Sequence, residues 1–193
     1  MRTYFITPPR WARNIYPKAF WEIEERSLKS SLLHLTLDDG PDPRSTLGWL
    51  DLLDKIDQKA TFFLLGSKAR LYPSLVQEIK SRGHDIGSHG MYHIDGWRSN
   101  NTMYVHQVLE SLDLLETRLF RPPYGRISPA QYSALLTSCR IIMWSMMPGD
   151  FDHNASSDVI KRRLSDKKDQ DIIVLHDHPK ALDKSQQALL DLF

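Results

Sequence analysis

The chain has 193 residues, a usual length for one domain, and 41% of them are apolar or aromatic, enough to build a buried core. The 25 basic and 24 acidic residues leave a net charge of +1, without the basic excess typical of nucleic-acid binding. A single cysteine, Cys139, excludes an intramolecular disulfide and a cysteine-based zinc site. Neither a membrane-spanning run nor the apolar core of a signal peptide is present, so we predict a cytoplasmic protein.

The first segment, residues 1–31, is predicted to be a prelude to a domain that covers residues 32–193. It interleaves aromatic side chains with Arg and Lys, the aromatic ones being Trp11, Tyr16, Phe20 and Trp21. Two interpretations stay open. The segment packs as a strap on the outside of the domain, or it makes a peripheral contact with a membrane surface or a partner.

From residue 32 onward, short β-forming runs alternate with segments of helical periodicity. The runs cover residues 32–37, 61–65, 85–88, 119–121, 141–144 and 172–175. Helices are predicted after Pro43, from Pro73 to about Arg82, and over residues 105–115. This alternation indicates parallel strands covered by helices. With six to seven βα units instead of eight, we expect an α/β fold, either a distorted or incomplete (β/α) barrel or an open doubly wound sheet.

Two adjacent carboxylates, Asp38 and Asp39, come directly after the first run, in Thr36-Leu37-Asp38-Asp39-Gly40-Pro41. Neighbouring residues that leave a strand point in different directions, so one carboxylate can hold a metal while the other faces a water molecule. The alternative is an Asp-Asp-Gly-Pro turn without function.

Two imidazoles, His89 and His93, lie four residues apart after the third run. This gap would place both rings on one side of a helical turn, near enough to share an ion. One carboxylate and two imidazoles form a three-ligand site for a divalent metal, with a position left for water. Two unrelated surface histidines would give the same spacing.

Two further groups end later runs. Arg121 opens the stiff segment Arg121-Pro122-Pro123-Tyr124-Gly125, and a fixed guanidinium is suited to orienting a carboxylate. His176 follows the last run, where an imidazole could give a proton to a departing amine. A solvated arginine in a proline turn and a solvent-facing histidine are the alternatives.

These four segments, in this order, resemble the NodB-type polysaccharide deacetylases, a family of carbohydrate esterases. The resemblance covers residues 32–190 and implies a distorted (β/α) barrel that removes N-acetyl groups from amino sugars with a bound divalent metal. Carried over by position, the metal ligands are Asp39, His89 and His93. The general base is Asp38, and the general acid is His176. Zinc is the favoured metal, and cobalt or nickel would also suit these ligands.

The resemblance implies further roles around the reacting groups. Arg121 would orient the general base, with Asp150 as the acid that supports the arginine and the histidine. The backbone N–H of Tyr124 would stabilise the oxyanion, and the side chains of Trp144 and Leu175 would form walls for the acetyl methyl group.

Several positions depart from the family pattern. Met147 stands where a first acid is expected, Phe151 replaces a tryptophan, and Gly90 replaces Ser or Thr. The chain also ends where a final strand is expected.

Two alternatives therefore stay open: a non-catalytic sugar-binding protein, or a metal hydrolase of esters, formamides or cyclic amides. An N-acetylated saccharide is the expected substrate, and a cytoplasmic saccharide or a membrane-linked precursor would suit a chain without an export signal.

Overall fold

The computed structural model of the protein describes residues 6–23 and 34–193. The predicted boundary between residues 31 and 32 lies outside these ranges, as do the first two residues of the predicted strand 32–37. The division into a prelude and a domain stays a prediction. Within the described ranges, no helix has both the length and the apolar character that crossing a bilayer requires.

Strands and helices alternate along the described residues. The strands are β1 (Leu35–Asp38), β2 (Ala60–Leu64), β3 (Asp85–Ser88), β4 (Leu119–Phe120), β5 (Arg140–Ile141) and β6 (Ile173–His176). The helices are α1 (Arg10–Ile15), α2 (Thr46–Lys55), α3 (Gly66–Leu71), α4 (Pro73–Ser81), α5 (Asn101–Leu115), α6 (Pro129–Leu135), α7 (Ser157–Ser165) and α8 (Pro179–Leu192). The six strands form one parallel sheet in the order β5-β4-β3-β2-β1-β6. The sheet curls into an incomplete barrel, which confirms the predicted fold class.

Local chemistry explains where the predicted helices begin. Pro73 occupies the first turn of α4, where its missing N–H costs nothing. The side chain of Asn100 accepts hydrogen bonds from the N–H groups of Thr102 and Met103 at the start of α5. All three predicted helices are therefore present, as α2, α4 and α5.

Residues 179–192, for which the sequence analysis predicted no element, form α8, and no strand follows β6 among the described residues. Pro179 suits the first helical turn, and the His178 ring accepts a hydrogen bond from the Lys180 N–H. The apolar face of α8 buries Ala181, Ala188 and Leu189 in the main core. The helix α8 therefore packs on the sheet and covers its main core.

The central strands divide their side chains between two faces. Leu35 and Leu37 of β1 are buried in the core that α2, α7 and α8 share with the sheet. Because side chains alternate along a strand, Thr36 and Asp38 point to the opposite face, the interior of the curled sheet. In the register of β1 and β6, Asp38 lies beside His176. The polar site is thus built on the concave face.

Residues 6–23 run across the gap between the two edge strands, β5 and β6. Phe20 forms a parallel bridge with Ile142, directly after β5. The N–H of Ile23 donates to the carbonyl of Gln170, shortly before β6. Tyr16 is buried against the core of the α5–α6 side. The segment therefore packs along the open seam of the barrel.

Candidate active site

The predicted site residues meet at the carboxyl ends of the parallel strands. Asp38 ends β1 and His176 ends β6, while His89 and Arg121 directly follow β3 and β4. In parallel α/β folds these ends share one rim, so side chains from distant parts of the sequence converge there. The structure brings the four predicted segments together on this rim.

Three of these side chains form a compact triad of donor atoms. One oxygen of Asp39 (Oδ1) lies 3.6 Å from Nε2 of His89 and 3.3 Å from Nε2 of His93. All three donor atoms lie within 4.8 Å of one another. Two ligands of a tetrahedral zinc ion, each 2.0–2.1 Å from the metal, are about 3.3 Å apart. The separations within the triad are therefore those expected of a metal site.

The unsatisfied atom in this triad supports the same conclusion. Oδ1 of Asp39 is buried and has no hydrogen-bond partner among the described residues. A buried carboxylate oxygen without a partner is costly, whereas a cation between it and the two imidazoles would satisfy it. The residues of the triad therefore fit a bound divalent metal.

The hydrogen bond that His89 makes through Nδ1 leaves its Nε2 atom available to bind a metal. Nδ1 of His89 lies 2.8 Å from the backbone carbonyl of Arg121, which can only accept, so Nδ1 carries the proton. Burial lowers the pKa of His89, which favours the neutral ring. Its Nε2 lone pair is therefore free to face the triad.

The loop after β3 brings His93 to the triad without a helix, so the predicted helical turn is wrong. Residues 89–95 are irregular, and Gly90 has a φ of 85°, a left-handed conformation that favours glycine. A β-carbon at Gly90 would also lie 3.0 Å from the side-chain oxygen of Gln107. That oxygen accepts hydrogen bonds from the N–H groups of Met91 and Tyr92. Glycine in place of Ser or Thr at position 90 is thus explained by a tight turn that the Gln107 side chain supports.

A left-handed residue also separates the two neighbouring carboxylates. Asp39 has a φ of 74°, which turns the chain sharply after β1. Nζ of Lys68 donates to the carbonyl of Asp39 at 2.8 Å and holds this turn. Burial raises the pKa of Asp39, but the imidazoles around it outweigh burial, and the net pKa shift is downward. The carboxylate is therefore ionised at neutral pH.

Asp38 is held by a fully buried guanidinium. Nη1 of Arg121 donates to Oδ1 of Asp38 and to the hydroxyl of Thr36, both at 2.7 Å. The other donors of Arg121 reach the backbone carbonyls of Ile142 and Met143. Those carbonyls satisfy the guanidinium, so Arg121 keeps its position although Met147 replaces an expected acid.

The second oxygen of Asp38 borders the triad. Its Oδ2 lies 4.0 Å from Nε2 of His89, on the side away from the bond to Arg121. One oxygen of Asp38 is therefore anchored while the other faces the space beside the donor atoms. This division agrees with the sequence-based expectation that the two neighbouring carboxylates take different roles.

His176 is paired with Asp150 on the opposite side of the site. Nδ1 of His176 lies 2.8 Å from Oδ1 of Asp150, and the other oxygen of this acid accepts the His176 N–H at 2.8 Å. Burial lowers the pKa of His176, but the Asp150 carboxylate outweighs burial and raises the pKa to about 9. The imidazole is therefore protonated at neutral pH, with Nε2 as its remaining N–H.

Tyr124 lies beside the triad, in the turn after Arg121, and Trp144 packs against the same turn. Tyr124 has a φ of 59°, and its ring packs edge-on against His93 with 4.4 Å between centroids. The indole of Trp144 lies against the backbone of Gly125, where a β-carbon would come within 2.5 Å of it. The oxyanion role of the Tyr124 N–H and the acetyl-pocket role of Trp144 stay predictions.

Leu175 is the one predicted residue that faces away from the site. It lies beside Leu37 in the register of β1 and β6, and it is buried in the same helix-covered core. Because side chains alternate, Val174 points to the concave face together with His176. The assignment of Leu175 to the acetyl pocket is therefore wrong, and Val174 has the required direction.

Two contacts around the site were not predicted from the sequence. The ring of Phe151 packs edge-on against His176, with 4.9 Å between centroids. Asp177 accepts hydrogen bonds from the hydroxyls of Ser45 and Thr46 and so ties the loop after β1 to the end of β6. Phe151 was noted in the sequence only as a replacement for tryptophan, and no local pattern links Asp177 to residues 45–46.

Comparison with known proteins finds similar chains of one family. A family model described as polysaccharide deacetylase matches residues 25–137. A peptidoglycan-N-acetylglucosamine deacetylase of Bacillus cereus is 31% identical over 165 residues, which cover 81% of this chain and 76% of that protein. A chitooligosaccharide deacetylase of Sinorhizobium fredii is 31% identical over 156 residues, covering 75% and 71% of the two chains.

A solved structure extends the likeness to the whole fold. The crystal structure of the Bc1960 peptidoglycan N-acetylglucosamine deacetylase superposes with a TM-score of 0.82 at 30% identity, covering 96% of this chain and 88% of that one. Other curated relatives are longer, and the chain spans only 32% of one from Bacillus subtilis. With more than half of its residues matched by the family model, the chain belongs to the polysaccharide deacetylase family.

Proposed function

We propose that this protein is a metal-dependent N-deacetylase that releases acetate from an N-acetylated amino sugar or oligosaccharide. The observation that carries the proposal is the partnerless buried oxygen of Asp39, which faces the Nε2 atoms of His89 and His93. It lies beside a carboxylate and an imidazole that are each held by a hydrogen-bond partner. Family membership supports the chemistry of amide cleavage on a sugar.

The triad would hold the metal, with zinc favoured and cobalt or nickel as alternatives. A divalent metal bound there supplies Lewis-acid polarisation of the amide carbonyl and lowers the pKa of a water molecule. The chain itself supplies the positions of the ligands. The Arg121 carbonyl fixes the tautomer of His89, and the Lys68 ammonium holds the backbone turn at Asp39.

Asp38 would act as the general base. Its Oδ1 is fixed by Arg121, and its Oδ2 is left to accept the proton of the attacking water. The buried guanidinium keeps this carboxylate oriented, because it contacts Oδ1 at 2.7 Å.

His176 would act as the general acid. The Asp150 carboxylate accepts its Nδ1–H, which leaves Nε2–H directed away from that bond and available to the leaving amine. The oxyanion that forms on the carbonyl would be stabilised by the backbone N–H of Tyr124, and such a donor typically contributes ~10²–10³ in rate. Val174 and Phe151 would line the acetyl methyl group in place of Leu175.

The names of the relatives support an N-acetylated sugar of a polymer or oligomer as the substrate. A relative from Bacillus cereus is named for the N-acetylglucosamine of peptidoglycan, one from Bacillus subtilis for its N-acetylmuramic acid, and one from Sinorhizobium fredii for chitooligosaccharides. We propose N-acetylglucosamine as the acetylated unit for this chain. The cytoplasmic location stays a prediction from the sequence.

The test combines metal analysis with a screen for acetate release. The purified protein is stripped with a chelator, reloaded separately with zinc, cobalt or nickel, and assayed on N-acetylglucosamine, its oligomers and peptidoglycan fragments. O-acetyl and N-formyl sugars are assayed in parallel. We expect acetate release from the N-acetyl sugars only after metal is added.

Two outcomes would contradict the proposal. Cleavage confined to O-acetyl or N-formyl compounds would indicate a hydrolase of another bond. Saccharide binding by metal-loaded protein without acetate release would indicate a non-catalytic sugar-binding protein.

A further inference from the structure

The turn that carries both reactive carboxylates packs on a buried acid that the proposed mechanism does not use. We call residues 38–42 the carboxylate turn, and the acid against it is Asp177, which is only 1% exposed. Burial of a carboxylate is unfavourable unless hydrogen bonds satisfy it. The contacts of Asp177 therefore indicate what its burial achieves.

Asp177 contacts the carboxylate turn at two points. Its backbone N–H donates to the carbonyl of Asp38 at 2.8 Å. A β-carbon at Gly40 would overlap Oδ2 of Asp177, so the side chain lies directly against the backbone of the turn, an approach that glycine permits. The residue after His176 thus touches the segment that carries the proposed general base and a metal ligand.

The carboxylate of Asp177 also fixes the far end of the turn. Its Oδ1 accepts from the hydroxyl of Ser45 at 2.7 Å, and its Oδ2 accepts from the hydroxyl of Thr46. The Thr46 hydroxyl itself accepts the backbone N–H of Asp42 at 2.8 Å. A chain of hydrogen bonds therefore runs from the end of β6 through the start of α2 to the last residue of the carboxylate turn.

Other groups hold the middle of the same turn. The N–H of Leu65 donates to the carbonyl of Gly40 at 2.9 Å, and Lys68 donates to that of Asp39 at 2.8 Å. Asp39 has a φ of 74°, and such a conformation persists in a residue other than glycine where surrounding contacts hold it. The bonds of Asp177 reach the two ends of the turn, so they complete the set of contacts that fixes this conformation.

We propose that Asp177 is a positioning residue that keeps Asp38 and Asp39 in their working orientations together. This inference rests on the proposed function. A displacement of about 1 Å in a reacting group can cost ~10²-fold in rate. Asp177 need not touch the metal, the water or the substrate to have such an effect, because it acts through the backbone of the carboxylate turn.

The proposal predicts a signature that differs from those of the two carboxylates themselves. Loss of the ligand Asp39 should lower metal affinity, and loss of the base Asp38 should lower kcat while metal stays bound. Because Asp177 supports the turn that carries both, its variants should lower metal affinity and, at saturating metal, also kcat. A residue that only stabilises the fold would lower the free energy of unfolding and leave both values unchanged.

The test variant is Asp177→Asn, and the matched control is Asp171→Asn. Asparagine keeps the size of the side chain but replaces one acceptor oxygen with an amide group that only donates, so one of the two hydroxyls loses its acceptor. Asp171 is also buried, and it accepts from the hydroxyl of Ser145 at 2.7 Å and from the N–H of Lys168 at 2.8 Å. It precedes β6, at the opposite end of that strand from Asp177.

Zinc affinity is measured by competition with a chromogenic chelator, and kcat for acetate release is measured at saturating zinc. We expect Asp177→Asn to weaken zinc binding ~10–100-fold, the usual range for groups that orient metal ligands, and to lower kcat about tenfold. Asp171→Asn should leave both values unchanged. Ser45→Ala removes one donor and leaves Asp177 in place, so it should weaken zinc binding to a smaller extent. This variant also carries the test if Asp177→Asn does not fold.

The positioning role would be overturned by equal shifts in the two aspartate variants. It would also be overturned if Asp177→Asn lost stability in urea titrations but kept the zinc affinity and kcat of the wild type. Failure of the proposed function is distinguishable, because it would appear in the wild type as absent zinc binding or absent acetate release. Wild-type protein that binds zinc without releasing acetate would still allow the zinc affinities to test Asp177.

Hydrogen exchange measured by mass spectrometry tests the same contact in metal-free protein. Residues 38–42 should exchange faster in Asp177→Asn than in Asp171→Asn, because only the first variant weakens the support of the carboxylate turn. Equal exchange in the two variants would overturn the role of Asp177, whether or not the wild type binds zinc.

Discussion

The two halves of the candidate site differ in how their polar atoms are satisfied. In the metal half, formed by Asp39, His89 and His93, a buried carboxylate oxygen has no partner among the described residues. In the acid-base half, Asp38 is bonded to Arg121, and His176 is bonded to Asp150. Both halves occupy the same rim of the sheet.

The difference indicates two kinds of function for buried charge. An incomplete set of donors is stable only when a ligand completes it, so the metal half is a binding site. In the acid-base half, a hydrogen bond fixes one atom of each side chain and leaves the other to react, so this half is built to move protons at defined atoms. Mutations in the metal half should therefore reduce metal binding, whereas mutations in the acid-base half should reduce kcat while the metal stays bound.

The largest effect is expected in the metal half from Asp39→Asn. Asparagine tolerates the left-handed conformation of this residue, so the variant removes a charged ligand without adding backbone strain. We expect loss of bound metal and no detectable acetate release at stoichiometric metal. Metal content by mass spectrometry and acetate release measure the two results. Full metal occupancy in this variant would contradict the assignment of the triad.

The complementary change in the acid-base half is Asp38→Asn. It keeps the shape of the side chain and an oxygen for Arg121 but removes the base. We expect kcat to fall by ~10²–10⁴, the usual contribution of a general base, with metal bound as in the wild type. Steady-state kinetics and metal analysis on the same sample provide the comparison. Retained activity would remove Asp38 from the mechanism.

Arg121→Gln tests whether the acid-base half also supports the fold. The arginine is fully buried, and its loss would leave the Asp38 carboxylate without a countercharge. We expect the free energy of unfolding to fall by ~3–5 kcal/mol in urea titrations. The control is Arg82→Gln, which removes a more exposed arginine that pairs with Asp51, Asp54 and Glu78. The control should cost about 1 kcal/mol or less; equal losses would contradict the distinction.

Asp150→Asn should have the smallest effect and the most specific signature. The Asp150 carboxylate holds the pKa of His176 at about 9, so wild-type activity should decline as the pH rises through that value. Removing the charge lowers this pKa, and the decline should move to lower pH. The stability that the pair contributes should be complete below pH ~6.5, the unfolded value, and should be lost as the pH rises through about 9. A pH profile that does not move would exclude His176 as the acid.

Much of the fold could be read from the alternation of apolar runs and helical segments, because period and length are local properties. Residues 179–192 are a counterexample, because the sequence analysis predicted no element there and they form a helix that packs Leu189 into the core. Local propensity does not reveal which tertiary surface is still open, and that surface decides the outcome.

The site was predictable where strand ends carry polar residues, and less so where loops shape it. His93 reaches the triad through an irregular loop held by Gln107, which follows it in the sequence by more than ten residues. Leu175 was misassigned because it directly precedes His176 in the sequence, whereas neighbouring residues of β6 point to opposite faces of the sheet. The contacts of the Arg126 guanidinium with the rings of Trp97 and Tyr124 are likewise tertiary contacts without a sequence signature.

The position of β1 between β2 and β6 has a consequence for synthesis of the protein on the ribosome. β1 is the first strand of the sheet among the described residues, and β6 is the last, yet the two are hydrogen-bonded neighbours. Asp38 is therefore synthesised well before His176, its neighbour in the sheet. A nascent chain arrested before β6 would lack its proton donor, so the acid-base half assembles only after β6 has been synthesised.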